Sequence, residues 1–86
     1  MRVTINSPAD LGEVVRAVRK QAKVRLDDLA AIAGVSKQFT SDVEHGKPTV
    51  QLGLVLKLLV ELGVSFELDI PAEAAHALAT LRAEPD

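Results

Sequence analysis

Apolar residues along this chain fall into runs at helical spacing, bracketed by two stretches that alternate instead. Leu11, Val14, Val15 and Val18 recur every three or four positions, which predicts a helix with one buried stripe. Ser7-Pro8 ahead of them is a start signal, because a hydroxyl accepts an orphan backbone N–H and proline at the first helical position gives up no hydrogen bond. That helix is expected to reach about Ala22. Leu29 and Ile32 mark a shorter second helix, roughly Leu26 to Ala33, with Asp27 and Asp28 complementing the dipole in its first turn and Gly34 stopping it. Ser36 then caps a third helix from Lys37 to about His45, closed by Gly46.

After Pro48, Thr49 is the expected cap of a fourth helix of about 13 residues reaching Leu62, with Gly63 as its left-handed terminator. Leu52, Val55, Leu56, Leu59 and Leu62 form its expected core stripe. Leu54 and Leu58 fall outside that stripe, so this helix carries more apolar surface than a chain this small can cover, and these two leucines are assigned to a subunit interface. Val3 to Ile5 and Phe66 to Ile70 alternate with period two and read as short strands. Phe66, Leu68 and Ile70 then either meet a symmetry mate or pair within the chain against Val3 to Ile5. Pro71 opens an acidic, alanine-rich tail in which Ala74, Ala75, Leu78 and Leu81 fit a weak amphipathic helix. The expected architecture is therefore all-α with a minor β element: four to five helices, with residues 1–70 as the domain and 71–86 as a tail.

Composition narrows the chemistry. The chain has 86 residues, a single-domain length, and although 48% of them are hydrophobic only Phe39 and Phe66 are aromatic, so the core must come from Leu, Val, Ile and Ala packed between helices. With no cysteine, and with only His45 and His76, neither a disulfide framework nor a closed zinc site is available, and no metal or other cofactor is expected. The apolar-rich stretch from Thr49 to Val64 is broken by Gln51, Lys57 and Glu61 and is too short to span a bilayer, and no signal peptide is visible, so a cytoplasmic location is expected. No general base with a positioned partner and no phosphate loop appears, which argues against an enzyme. The net charge of −2 hides an uneven distribution: residues 1–60 hold nine Lys/Arg against six Asp/Glu, whereas residues 61–86 hold one against six. The first two-thirds is the part suited to phosphate.

Two short helices joined by a glycine-containing turn of about three residues is helix-turn-helix geometry, and the small Ala30 lets them cross closely. In such a unit the N-terminal residues of the second helix enter the major groove. Lys37 can donate to guanine O6 and N7, and Gln38 can pair with adenine N6 and N7, which makes these two the candidate base readers together with Ser41. Ser41 equally fits a role in satisfying local backbone. Asp42 is expected to face solvent or to filter sequences, since a carboxylate repels phosphate. Arg25, Ser36, His45 and Lys47 sit at the edges of the unit, where backbone contacts fix register. Phe39 is read as packing.

The stretch LDDLAAIAGVSKQFTSDVEHGK, residues 26–47, resembles the helix-turn-helix of lambda-repressor-like (Xre-type) regulators, with Leu29-Ala30, Gly34-Val35-Ser36, Ser41 and Glu44-x-Gly46 at that family's spacing. The "EHGKPT" segment, followed by a Leu-rich helix and a candidate strand, is similar to the HipB-type antitoxins, and the likeness covers about residues 8–70. It implies a dimeric repressor of a palindromic double-stranded operator, a HipA-like serine/threonine kinase toxin as partner, and an ion pair between Arg19 and Glu44. A regulator without a toxin, and a module that chiefly inhibits a partner protein, remain open alternatives. The family's glutamine at the start of the second helix is Leu26 here, so its phosphate contact has either moved to Arg25 or been lost, and Thr40 stands where an aliphatic residue is usual.

Overall fold

The computed structural model describes residues 1–85. Five α-helices follow one another, α1 (Pro8–Gln21), α2 (Leu26–Ala33), α3 (Lys37–Glu44), α4 (Leu52–Glu61) and α5 (Ala75–Ala83), with one 3-10 turn at Ala72–Ala74 ahead of the last. Ser7 caps α1 by accepting from the Asp10 N–H at 3.1 Å, while the Asp10 carboxylate reaches back to the Asn6 N–H at 2.9 Å, so two donors at the entry are satisfied reciprocally. Gly34 ends α2 at φ +72°. A Cβ there would meet nothing within 4 Å, so the left-handed backbone alone calls for glycine. Ser36 opens α3 by accepting from the Phe39 N–H at 2.9 Å.

Val15, Leu29, Ala33, Val43, Val55, Leu58 and Leu59 make one buried cluster contributed by the first four helices, and Leu11, Val24, Val35, Phe39, Val50, Leu62 and Val64 pack around it. Phe39 is thus a packing residue. Thr40 is fully buried, and its hydroxyl donates to the Ser36 carbonyl at 3.1 Å, which removes the cost of a polar group where an aliphatic one would otherwise sit.

Three expectations need correction. Helix α4 starts after Gln51, not Thr49, and spans 10 residues. Its buried seam is Val55, Leu58 and Leu59, so Leu58, assigned above to a subunit interface, is fully enclosed in the core, and Leu54 is half-buried. Because this helix is apolar almost all round, its own periodicity is compatible with two neighbouring rotations. The choice is made by packing on α2 and by the return of the chain, where the Val64 N–H donates to the Leu59 carbonyl at 2.9 Å. The rotation leaves Leu52 at 57% exposure and Val60 at 73%.

Finally, among the described residues there is no strand. Val3 to Ile5 and Phe66 to Ile70 are exposed and unpaired, with Leu68 at 75% exposure. Alternation fixes which side of an extended segment is apolar, but a strand also requires a ladder partner for its backbone, and one copy of the chain brings none to either segment.

Two glycines mark a close approach between α1 and the end of α3. A Cβ on Gly12 would fall 2.5 Å from the Val43 carbonyl oxygen and 2.6 Å from that of Glu44, and one on Gly46 would fall 2.7 Å from Ala9 Cα. Gly12→Ala should therefore destabilise the protein by about 1–3 kcal/mol, the usual scale of overpacking, even though alanine is the better helix former. Gly53→Ala, at a helical position with open space around it, should instead stabilise by up to about 1 kcal/mol. Urea unfolding of the two variants checks the opposite signs.

Candidate nucleic-acid interface

Helix α3 presents its N-terminal half outward, since Ser36, Lys37 and Gln38 are exposed while Thr40, Val43 and Glu44 are buried on the opposite side. The buried side is anchored by charge. Arg19, in the last turn of α1, donates from Nε to Glu44 Oε2 at 2.6 Å and from a terminal nitrogen to Glu44 Oε1 at 2.9 Å, a bidentate fork, and its other terminal nitrogen donates to the Val24 carbonyl at 3.0 Å. The two side chains are only 11% and 3% exposed. One guanidinium thereby joins α1, the loop before α2 and the end of α3.

The Arg19 guanidinium is held above its ordinary value, chiefly by its hydrogen bond to Glu44, with burial opposing and the Coulombic pull of the same carboxylate assisting. A value raised by folding means that the arginine's share of this stabilisation is complete below the ordinary guanidinium range and is lost as pH climbs through the raised value. It is therefore constant across neutral pH.

Around α3 the remaining candidates differ in how free they are. Ser36 spends its oxygen on the helix cap and keeps its O–H to donate outward. Lys37 is exposed. Gln38 Nε2 donates to Asp42 Oδ1 at 2.8 Å, and Lys47 Nζ lies 3.5 Å from Asp42 Oδ2, so this carboxylate faces neither open solvent nor an empty groove. His45 Nδ1 is 2.7 Å from the Ser41 carbonyl oxygen, which can only accept; that nitrogen carries the proton and Nε2 is left outward. The Ser41 hydroxyl lies 3.3 Å from the same ring nitrogen and is half-buried. Arg25 precedes α2 with its side chain 79% exposed and only a 3.4 Å contact to Asp27, which leaves its guanidinium available to an anion.

Two features escaped the reading of the sequence. The double role of Asp42 was available in principle, since Gln38 and Asp42 stand four apart on one helix face. The contact of Gly12 with the α3 carbonyls had no local signal, because it depends on how two helices cross.

A family profile described as a helix-turn-helix domain matches residues 10–69. The chain belongs to this family. It is 48% identical over 73 residues to the HTH-type transcriptional regulator y4mF of Sinorhizobium fredii, covering 85% of this chain and 96% of that protein. It is also 30% identical over 66 residues to an HTH-type transcriptional regulatory protein of Methanosphaerula palustris, covering 76% of this chain but 22% of that longer protein. Among solved structures, HipB in a HipA-HipB-O2-O3 complex superposes with a TM-score of 0.74 at 26% identity, covering 80% of this chain and 97% of that one. HipB in an O4 20mer complex superposes equally, with the same TM-score, identity and coverage. This helix-turn-helix transcriptional regulator thus has a HipB-like fold. Among the described residues no helix is long and apolar enough to cross a membrane.

Arg19→Ala should cost about 3–5 kcal/mol in chemical unfolding, because it strands a carboxylate that is buried at the α1–α3 crossing. The Arg25→Ala variant, lacking only an exposed side chain, should unfold within about 0.5 kcal/mol of the parent.

Proposed function

We propose that the protein is a homodimeric, sequence-specific DNA-binding repressor, the antitoxin of a toxin–antitoxin operon that it autoregulates, with a HipA-like serine/threonine kinase as the toxin it restrains. The observation that carries this reading is the outward N-terminal end of α3, where Lys37 and Gln38 stand exposed on a helix whose far side is clamped by Arg19 and Glu44. The likeness to HipB in complexes with HipA, O2-O3 and the O4 20mer supports both the DNA and the kinase partner. In this reading Lys37 and Gln38 read base edges, Ser41 borders them, and Arg25, Ser36 and Lys47 hold the phosphate backbone; the outward Nε2 of His45, with the ring proton on Nδ1, is an acceptor and leaves that residue out of the set. One recognition helix contacts only a few base pairs, so two must act together on half-sites about one helical turn apart.

A second copy also accounts for the apolar surface that one copy leaves bare. Leu52, Leu56 and Val60 recur every four residues on the exposed side of α4, and Phe66, Leu68 and Ile70 line one side of the extended segment after it. We assign these six, with the half-buried Leu54, to the subunit contact; Leu58 belongs to the core. The acidic segment from Glu61 onward is the surface offered to the toxin, since its carboxylates oppose the phosphate field but complement a basic partner. The alternative is a regulator with no toxin. The name of the relative in Sinorhizobium fredii, an HTH-type transcriptional regulator, agrees with that reading. A kinase-like gene beside this one whose product co-purifies with the protein separates the two readings.

Lys37→Ala and Gln38→Ala should each weaken binding to a selected operator by about 5- to 150-fold while leaving the far-ultraviolet circular dichroism unchanged. On single-base operator variants the Gln38→Ala loss should be confined to one base pair. An equal loss on every variant would instead make Gln38 a phosphate contact.

At micromolar concentration the parent should sediment as a dimer, and Leu56→Glu with Val60→Glu should shift it toward monomer with the helical signal retained. Leu58→Glu should instead unfold the chain, because it places a charge in the core.

A further inference from the structure

The carboxylate of Asp42 occupies an odd position for a DNA-facing helix. It is on α3, one turn after Gln38, with only 24% of its side chain exposed, and it engages two residues of the proposed interface at once through different oxygens, Gln38 Nε2 at 2.8 Å and Lys47 Nζ at 3.5 Å. A free glutamine side chain on a helix surface rotates among many conformers, and its amide can flip end for end. Here the flip is blocked, because only the nitrogen end can donate to a carboxylate. Lys47, from the segment following α3, supplies the positive charge that keeps that carboxylate from being an unpaired anion beside the groove.

We infer that Asp42 is a positioning residue for base reading: it holds the Gln38 amide with its oxygen outward and so sets the base preference of a side chain that would otherwise accept several partners. An amide nitrogen has two hydrogens. One is taken by Asp42, and the second, with the outward Oε1, still makes a donor–acceptor pair that matches adenine N7 and N6. With the amide flipped, the same side chain would present donors toward the acceptor edge of guanine, so fixing its direction discriminates between the two purines. Asp42 also weakens binding to any sequence, by repelling phosphate and by occupying Lys47. It therefore trades affinity for selectivity. This inference rests on the proposed DNA-reading role of α3 and assigns a part to a residue outside the base readers and phosphate contacts named there.

The test selects duplexes from a pool with about two turns of randomised sequence, using the full-length protein, Asp42→Ala and Asp42→Asn. The parent should enrich one motif with a strong adenine at the Gln38 position. Asp42→Asn keeps an oxygen acceptor for Gln38 but loses the charge. Because the asparagine amide can also turn its NH₂ toward Gln38 Oε1, it should keep an adenine preference intermediate between those of the parent and Asp42→Ala, while binding all duplexes several-fold more tightly, with a salt dependence steeper by about one phosphate contact. Asp42→Ala should show the same general tightening, but the adenine-over-guanine ratio should fall by about fivefold or more. In the free parent, the Gln38 side-chain NH₂ proton resonances should be distinct and protected, and in Asp42→Ala they should collapse to exposed-amide values. A purely structural role would move stability without moving the purine ratio. If the parent enriches a motif and Asp42→Ala enriches the same one with equal stringency, the inference is overturned and the DNA-reading role stands. A parent that enriches no motif overturns both.

Discussion

The fold turns on one buried charge pair set beside one close helix crossing. Arg19 and Glu44 are 25 residues apart in sequence, and the fork between them, together with the third bond to the Val24 carbonyl, joins α1, the segment before α2 and the end of α3. A buried pair of this kind contributes less to net stability than its Coulombic strength implies, because each ion is stripped of water. Its value lies in direction. Hydrophobic packing between α1 and α3 would tolerate small rotations, whereas two parallel hydrogen bonds to a planar guanidinium admit essentially one. Gly12 lets the backbones come close enough for those bonds to form. The outer face of α3 inherits that orientation, so residues that never approach a nucleic acid govern the ones proposed to do so.

Charge is arranged in the same economical way on the exposed side. Three polar side chains along α3 have a local partner that limits their freedom without consuming it: Ser36 caps the helix and retains a donor, Gln38 gives one hydrogen to Asp42 and retains the rest of its amide, and His45 at the far end gives Nδ1 to Ser41 and retains Nε2. Such a surface loses little side-chain entropy when it meets a ligand.

Much of this was legible along the sequence because it is local. The cap at Ser7, the left-handed Gly34 and the cap at Ser36 each follow from residues within one turn of the feature, so the first three helices fall within a residue of where the pattern puts them. The burial of Leu58 was not legible, because α4 is apolar around most of its circumference and only the position of its neighbours selects a seam. The strands failed for a related reason. Alternation at Phe66 to Ile70 describes one side of a partnership whose other side is absent from a single copy of the chain. In the site, the Arg19–Glu44 pair could be anticipated only through family resemblance, since nothing local links the two residues, while the Asp42 network was present in the spacing and was obscured by the general rule that acidic groups avoid DNA.

Helix α5 has nine residues and buries none of them. A helix that short, without a packed face, has little stability of its own, because the cost of nucleating it is barely recovered over two turns of hydrogen bonds. Its amides should exchange with solvent almost as freely as those of an unfolded chain, while those of the α1–α4 core wait for global unfolding. Residues Ala75–Ala83 can therefore exchange a helix for an extended strip at modest cost, and whichever shape a binding surface requires is supplied without disturbing the rest of the molecule.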